Sequence, residues 1–128
     1  MATIEFFEKN GCLNNARQKQ LLEASGHTLI TRNILTYPWT PKMLEDFFQS
    51  KSIIECFNPA SPRIKSGEVV PSKVSVTEAI ELMLSDPLLI RRPLMNIDGH
   101  LEVGFDQKKL HAWIGLESSL SDPESCQK

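Results

Sequence analysis

Along this chain the spacing of apolar positions changes repeatedly, and each change predicts an element. Residues 2–7, Ala-Thr-Ile-Glu-Phe-Phe, are short, apolar and rich in strand formers, and Lys9-Asn10-Gly11 stops them before a helical period can establish itself. They predict a buried first strand. From Leu13 to Ala24 the period lengthens, so that Leu13, Ala16, Leu21 and Ala24 fall near one helical face, and Gly26 stands where a left-handed C-terminal cap is wanted. His27 to Leu35 returns to strand chemistry through Leu29, Thr31 and Ile34. Strand, tight loop, helix and strand make a βαβ unit, whose two strands lie parallel with a right-handed crossover.

Thr40-Pro41 supplies an N-cap and a proline at the first helical position, and Met43, Leu44, Phe47 and Phe48 follow on one apolar face. Residues 58–73 hold three prolines, a glycine and several charges, which predicts a surface loop with little core of its own, placed to rim a site. Ser75 and Glu78 form a capping-box pattern, and Val76, Ala79, Ile80, Met83 and Leu84 have the spacing of a core-facing helix. Asp98-Gly99, set between Leu94–Ile97 and Leu101–Phe105, is a tight-hairpin signature, since both turn positions need positive φ. Asp106 caps a last helix carrying Leu110, Trp113 and Ile114, and the Ser-rich residues 117–128 are expected to form a disordered tail. The predicted fold class is α/β: a mixed four-stranded sheet, βαβ then ββα, flanked by helices in the layered, thioredoxin-like arrangement. It forms one domain over residues 1–116, with a helical insertion at about 40–85.

Composition narrows the function more than the fold. The 128 residues suit a single core, and an apolar fraction of 41% with 23% charged residues is ordinary for a globular chain. Fourteen basic against sixteen acidic residues leave a net charge of -2, too little positive charge to attract nucleic acid or anionic lipid broadly. Neither a nucleic acid nor a membrane is an expected partner. No apolar stretch is long enough to span a bilayer, and Glu5 and Glu8 within the first apolar run argue against a leader segment. Three cysteines, an odd number without a close pair, make no disulfide framework and suit a reducing, cytoplasmic setting.

Cys12 closes the loop between the first strand and the first helix. A sulfur there meets unpaired N–H groups and the positive end of the helix dipole, which lower a thiol pKa. Gly11 permits a tight turn or a close ligand, and Lys9 and Arg17 add positive charge. From position alone, an inert cysteine used as a small N-cap is an equal reading. In Cys12-Leu13-Asn14-Asn15 the fourth residue is asparagine, so the local resolving thiol of a Cys-x-x-Cys motif is missing. Asn14 and Asn15 can bond the sulfur or an anion, or simply satisfy helix-end backbone groups. Cys56, among Ile53, Ile54 and Phe57, reads as a core hydrophobe, with a resolving thiol as the alternative, and Cys126 as an incidental thiol in the tail, with a resolving thiol brought to the site by chain flexibility as the alternative. His27, His100 and His111 lack zinc-site spacing, and no metal is expected. Arg91-Arg92-Pro93 sets two guanidinium groups beside a proline capable of a cis bond, which fits a planar anion as well as a solvated strand entry.

The Cys12 junction, Asp86-Pro87-Leu88-Leu89-Ile90-Arg91-Arg92-Pro93-Leu94 and Val103-Gly104-Phe105 resemble, in that order and spacing, the arsenate reductase (ArsC) and Spx family from about residue 3 to residue 115. Gly11-Cys12-Leu13-Asn14-Asn15-Ala16-Arg17-Gln18-Lys19, Pro38-Trp39-Thr40 and the stretch from Phe57 to Gly67 resemble its nitrogenase-associated branch. The resemblance implies a thioredoxin-like fold, a nucleophilic Cys12, and Arg92 holding an oxyanion before a cis Pro93. Gly11, Asn14, Asn15, Arg17 and Pro93 are then the expected substrate-binding residues. Further arginines of the arsenate reductases fall at Asn58 and Phe105, and neither residue replaces a positive charge. The expectation is therefore a glutathione-dependent monothiol reductase rather than a true arsenate reductase. Its partners would be a small thiol or oxidised protein and nitrogenase-related proteins, with no bound cofactor. The alternative is a non-enzymatic accessory or regulatory protein, as Spx members are with RNA polymerase.

Overall fold

In the computed structural model, residues 2–49, 51–106 and 108–110 are described. Strand β1 (Thr3–Glu8), helix α1 (Leu13–Ala24) and strand β2 (Thr28–Asn33) form the opening unit. Helix α2 (Pro41–Phe48), the short α3 (Pro62–Lys65) and α4 (Val76–Ser85) lie in the insertion, and strands β3 (Leu94–Ile97) and β4 (His100–Val103) follow. The sheet order is β2-β1-β3-β4, with β1 and β2 parallel and the β1–β3 and β3–β4 pairs antiparallel. This is the mixed sheet the pattern predicts. At the hairpin Asp98 and Gly99 have φ of 50° and 95°, and reciprocal bonds between Thr3 and Asp98 tie the turn to the start of β1.

The sheet separates two cores because successive side chains of β1 point to opposite faces. Ile4 and Phe6 pack with Leu21, Leu22, Met95, Ile97 and Phe105 on the α1 side. Phe7 faces the insertion, with Leu44, Phe47, Ile80, Met83 and Leu94 among its cluster. Its ring also meets Tyr37 and Trp39, each at 4.9 Å between centroids, and Trp39 Nε1 donates to the Ile34 carbonyl at 2.9 Å.

Helix α1 has the predicted bounds but a different buried face. Asn15, Gln18, Leu21 and Leu22 point inward, whereas Leu13 is 73% exposed and Ala16 and Ala24 face solvent. The polar pair is buried without large cost because Asn15 Nδ2 donates to Gln18 Oε1 at 2.9 Å, an arrangement that apolar spacing does not register. Residues 58–73 likewise depart from a plain surface loop: they contain α3, and Asn58, Ser61 and Val69 are buried. The start of this segment is fastened to the strand entry, with Phe57 bridging Ile90, Asn58 N–H donating to the Leu89 carbonyl and Arg91 N–H to that of Cys56. Asp106 Oδ1 accepts from Lys109 N–H at 3.1 Å, consistent with its capping role. The rest of the expected last helix and the tail 117–128 lie outside the described residues. Among the described residues no helix is long and apolar enough to cross a membrane.

Candidate active site

The loop after β1 is built to present one residue. Gly11 has φ +83°, and a Cβ placed on it would meet nothing within 4 Å. Cys12 N–H then donates to the Lys9 carbonyl at 3.2 Å, closing the turn, and Cys12 becomes the N-cap of α1 with φ -77° and ψ 113°. No side chain caps this helix, so the dipole and first-turn N–H groups remain available to an anion. The Cys12 residue is 5% exposed, and its sulfur is disulfide-bonded.

Asn15 holds the turn from below. Its Oδ1 accepts from Lys9 N–H at 3.2 Å while its amide donates to Gln18, so both ends of the side chain face the fold. Lys19 forms an ion pair with the buried Glu8 at 2.9 Å, which joins the helix to the end of β1. Asn14 is half-buried and Arg17 is exposed; no ion pair to Arg17 occurs among the described residues.

The register brings the arginine segment to the same end of the sheet. Phe7 opposes Leu94 in the β1–β3 pair, so Arg92 and Pro93, preceding Leu94, lie beside the chain that leaves β1 toward Cys12. The Arg92–Pro93 peptide is cis, and Pro93 accepts from Gly104 N–H at 2.8 Å. Arg92 is 4% exposed; burial draws its pKa down from the usual arginine value, yet a guanidinium remains charged at neutral pH.

Its neighbour does something else. Arg91 Nη1 donates to the Glu55 carbonyl at 3.1 Å, and its guanidinium lies against Gly104, where a Cβ would come within 2.8 Å of Nε. Gly104 has φ +79°, so the residue is required twice over, by conformation and by the close approach of Arg91. This clamp escaped the sequence reading; the local signal was a glycine interrupting a strand pattern. Asn58 turns its amide to the Leu88 carbonyl at 3.3 Å and its oxygen to Ala60 N–H, and Phe105 is sealed in the α1-side core. No cation stands at either position.

Cys56 is buried and free, and its thiol donates to the Ser52 carbonyl at 3.4 Å. Burial pushes its pKa up to about 11, so at neutral pH it is a protonated, unreactive core residue. Cys126 and His111 lie outside the described residues. His27 Nδ1 accepts from Ala2 N–H, and His100 Nε2 lies 2.7 Å from Glu102. Among the described residues no three His, Cys, Asp or Glu side chains gather as a metal site would require.

A parallel βαβ unit joined to an antiparallel hairpin, with a cysteine opening the first helix and a cis proline opening the third strand, defines a thioredoxin-like protein. A family model described as the ArsC family matches residues 14–113, and the chain belongs to that family. It is 47% identical over 127 residues, covering 98% of this chain and 89% of the relative, to an uncharacterized 15.7 kDa protein in the draG 3′ region of Rhodospirillum rubrum. It is 22% identical to the global transcriptional regulator Spx 1 of Lactococcus lactis, over 89% of this chain and 91% of that protein. The solved arsenate reductase from Vibrio cholerae superposes with a TM-score of 0.71 at 15% identity, over 91% of this chain and 98% of that one.

Proposed function

We propose that this protein is a monothiol oxidoreductase of the cytoplasm, working with glutathione or a similar small thiol in nitrogen-fixing cells. In its reduced state, the Cys12 thiolate attacks one sulfur of a substrate disulfide. The substrate S–S bond breaks, a Cys12 mixed disulfide forms, and the departing thiolate takes a proton from water. A glutathione thiolate then attacks the mixed disulfide and regenerates the Cys12 thiolate. A second glutathione releases the substrate fragment as a thiol and leaves as glutathione disulfide, so two glutathione molecules supply the two electrons. Arg92 orients an anionic group of the substrate or of glutathione, and the open space at Gly11 admits it.

The observation that carries this reading is the placement of Cys12 at an uncapped helix start, at the end of the sheet where the register also delivers Arg92. Asn58 and Phe105, where arsenate reductases carry arginines, favour a thiol substrate over arsenate. The resemblance to the nitrogenase-associated branch supports the nitrogen-fixation setting. The test is the pH dependence of Cys12 alkylation in the reduced protein, together with turnover of a model mixed disulfide by glutathione. An ordinary cysteine pKa combined with no turnover removes the proposal.

The Lactococcus Spx relative favours a second reading, a regulatory interaction module. Asn15 stands where the second cysteine of a Cys-x-x-Cys switch would be, and its side chain is committed to Lys9 and Gln18. Pull-down from nitrogen-fixing cells with wild type and Cys12→Ser separates the two: partners retained without Cys12 favour the module.

A further inference from the structure

Strand β2 is an edge without the usual protection. It is the outermost strand of the sheet; Thr28, Ile30, Thr31 and Arg32 are all exposed, and only Leu29 packs against the α1-side core. Its residues contain no lysine and no proline, and its register with β1 runs unbroken from Thr28 to Asn33 without a bulge. These are the devices by which edge strands avoid pairing. The one charge, on Arg32, is neutralised by Glu5 at 2.9 Å.

The direction of the backbone decides what this edge can accept. Thr28 N–H donates to the Ala2 carbonyl and Ile34 N–H to that of Glu8, so by alternation Thr28, Ile30 and Arg32 turn their peptide groups toward β1. Leu29, Thr31 and Asn33 turn theirs outward. The Asn33 carbonyl already accepts from Thr36 and Tyr37 N–H. The open ladder is therefore the N–H and C=O of Leu29 and Thr31, flanking Ile30, which is 43% exposed.

We propose that β2 pairs antiparallel with β2 of a second copy about a two-fold axis through Ile30. This register sets Leu29 opposite Thr31 of the second copy, and the reverse, so each open N–H and C=O meets its complement. Ile30 then lies against its own counterpart in the close, non-hydrogen-bonded position of the ladder. Arg32 faces Thr28 of the second copy, away from the other arginine. Moving the axis to Thr31 opposes Leu29 to Asn33, whose carbonyl is occupied, and moving it to Arg32 opposes like charges. The edge is thus self-complementary in one register, which selects a second copy over an unrelated strand. A contact confined to this strand is smaller than the roughly 1,200 Å² of a stable interface, so the dimer is weak and reversible. It is independent of the thiol chemistry proposed above.

Sedimentation equilibrium of the full chain in excess reductant, from about 10 μM to about 1 mM, tests it. Thr31→Pro removes one outward N–H that the monomer leaves unused, a position where an edge strand tolerates proline. Ile30→Lys places like charges on the axis. The expected result is a monomer–dimer equilibrium that both variants weaken at least about tenfold, with unchanged circular dichroism. Should Thr31→Pro fail to fold, Ile30→Lys decides alone. A monomer at every concentration, or a dimer that persists in a folded variant, overturns the proposal.

Discussion

Helices α1 and α4 show how differently one chain treats two helix starts. α4 opens with a complete capping box: Ser75 Oγ accepts from Glu78 N–H at 3.1 Å and Glu78 Oε1 accepts from Ser75 N–H at 2.9 Å. α1 opens at Cys12 with no side-chain cap and no acidic residue in its first turn. Their buried faces differ in the same sense, since α4 packs Ala79, Ile80 and Met83 while α1 buries Asn15 and Gln18 beside two leucines. A missing cap costs about 1 kcal/mol. The chain tolerates that cost at the helix start that carries Cys12, and fixes the surrounding turn instead through Asn15 and the Glu8–Lys19 pair.

The largest expected effect breaks the chemistry at α1 alone. Cys12→Ser should lower glutathione-dependent turnover by about a thousandfold or more, the scale on which loss of an attacking group acts. Retained turnover would make α1 an ordinary helix like α4. Arg92→Lys keeps a positive charge but loses the planar fork, and we expect about a tenfold to hundredfold loss in kcat/KM; Arg17→Ala should change it less than about threefold, because an exposed charge acts through screened water.

Stability measurements sharpen the contrast further. Gly104→Ala combines a φ of +79° with a 2.8 Å approach to Arg91 Nε, and urea unfolding should report a loss of about 1–3 kcal/mol. The alkaline limb tests Cys56. Its pKa rises from 9.0 in the reference state to about 11 in the fold, so the folded state holds the proton more tightly. That stabilisation is complete below pH 9.0 and is lost as pH rises through about 11, amounting to about 3 kcal/mol. In Cys56→Ala the extra alkaline slope should disappear. The smallest effects lie at the caps themselves: Ser75→Ala should cost about 1 kcal/mol, whereas Cys12→Ser in the reduced protein should cost nothing and gain up to about 1 kcal/mol by capping α1. Thermal unfolding in reductant compares the two directly.

Period and punctuation alone determined most of the fold. Gly11, Gly26 and Asp98-Gly99 mark turns that need positive φ, and Thr40-Pro41 and the Ser75/Glu78 box mark helix starts, because these signals act within a few residues of backbone. The position of Cys12 at a strand–helix junction was legible for the same reason. What only the tertiary structure decided depends on chain segments far apart in sequence. The inward turn of Asn15, the split of Arg91 from Arg92, the sealing of Asn58 and Phe105, and the exposed edge of β2 each follow from which segment packs alongside. Local periodicity carries no record of that neighbour, and burial and hydrogen bonding are fixed only when it arrives.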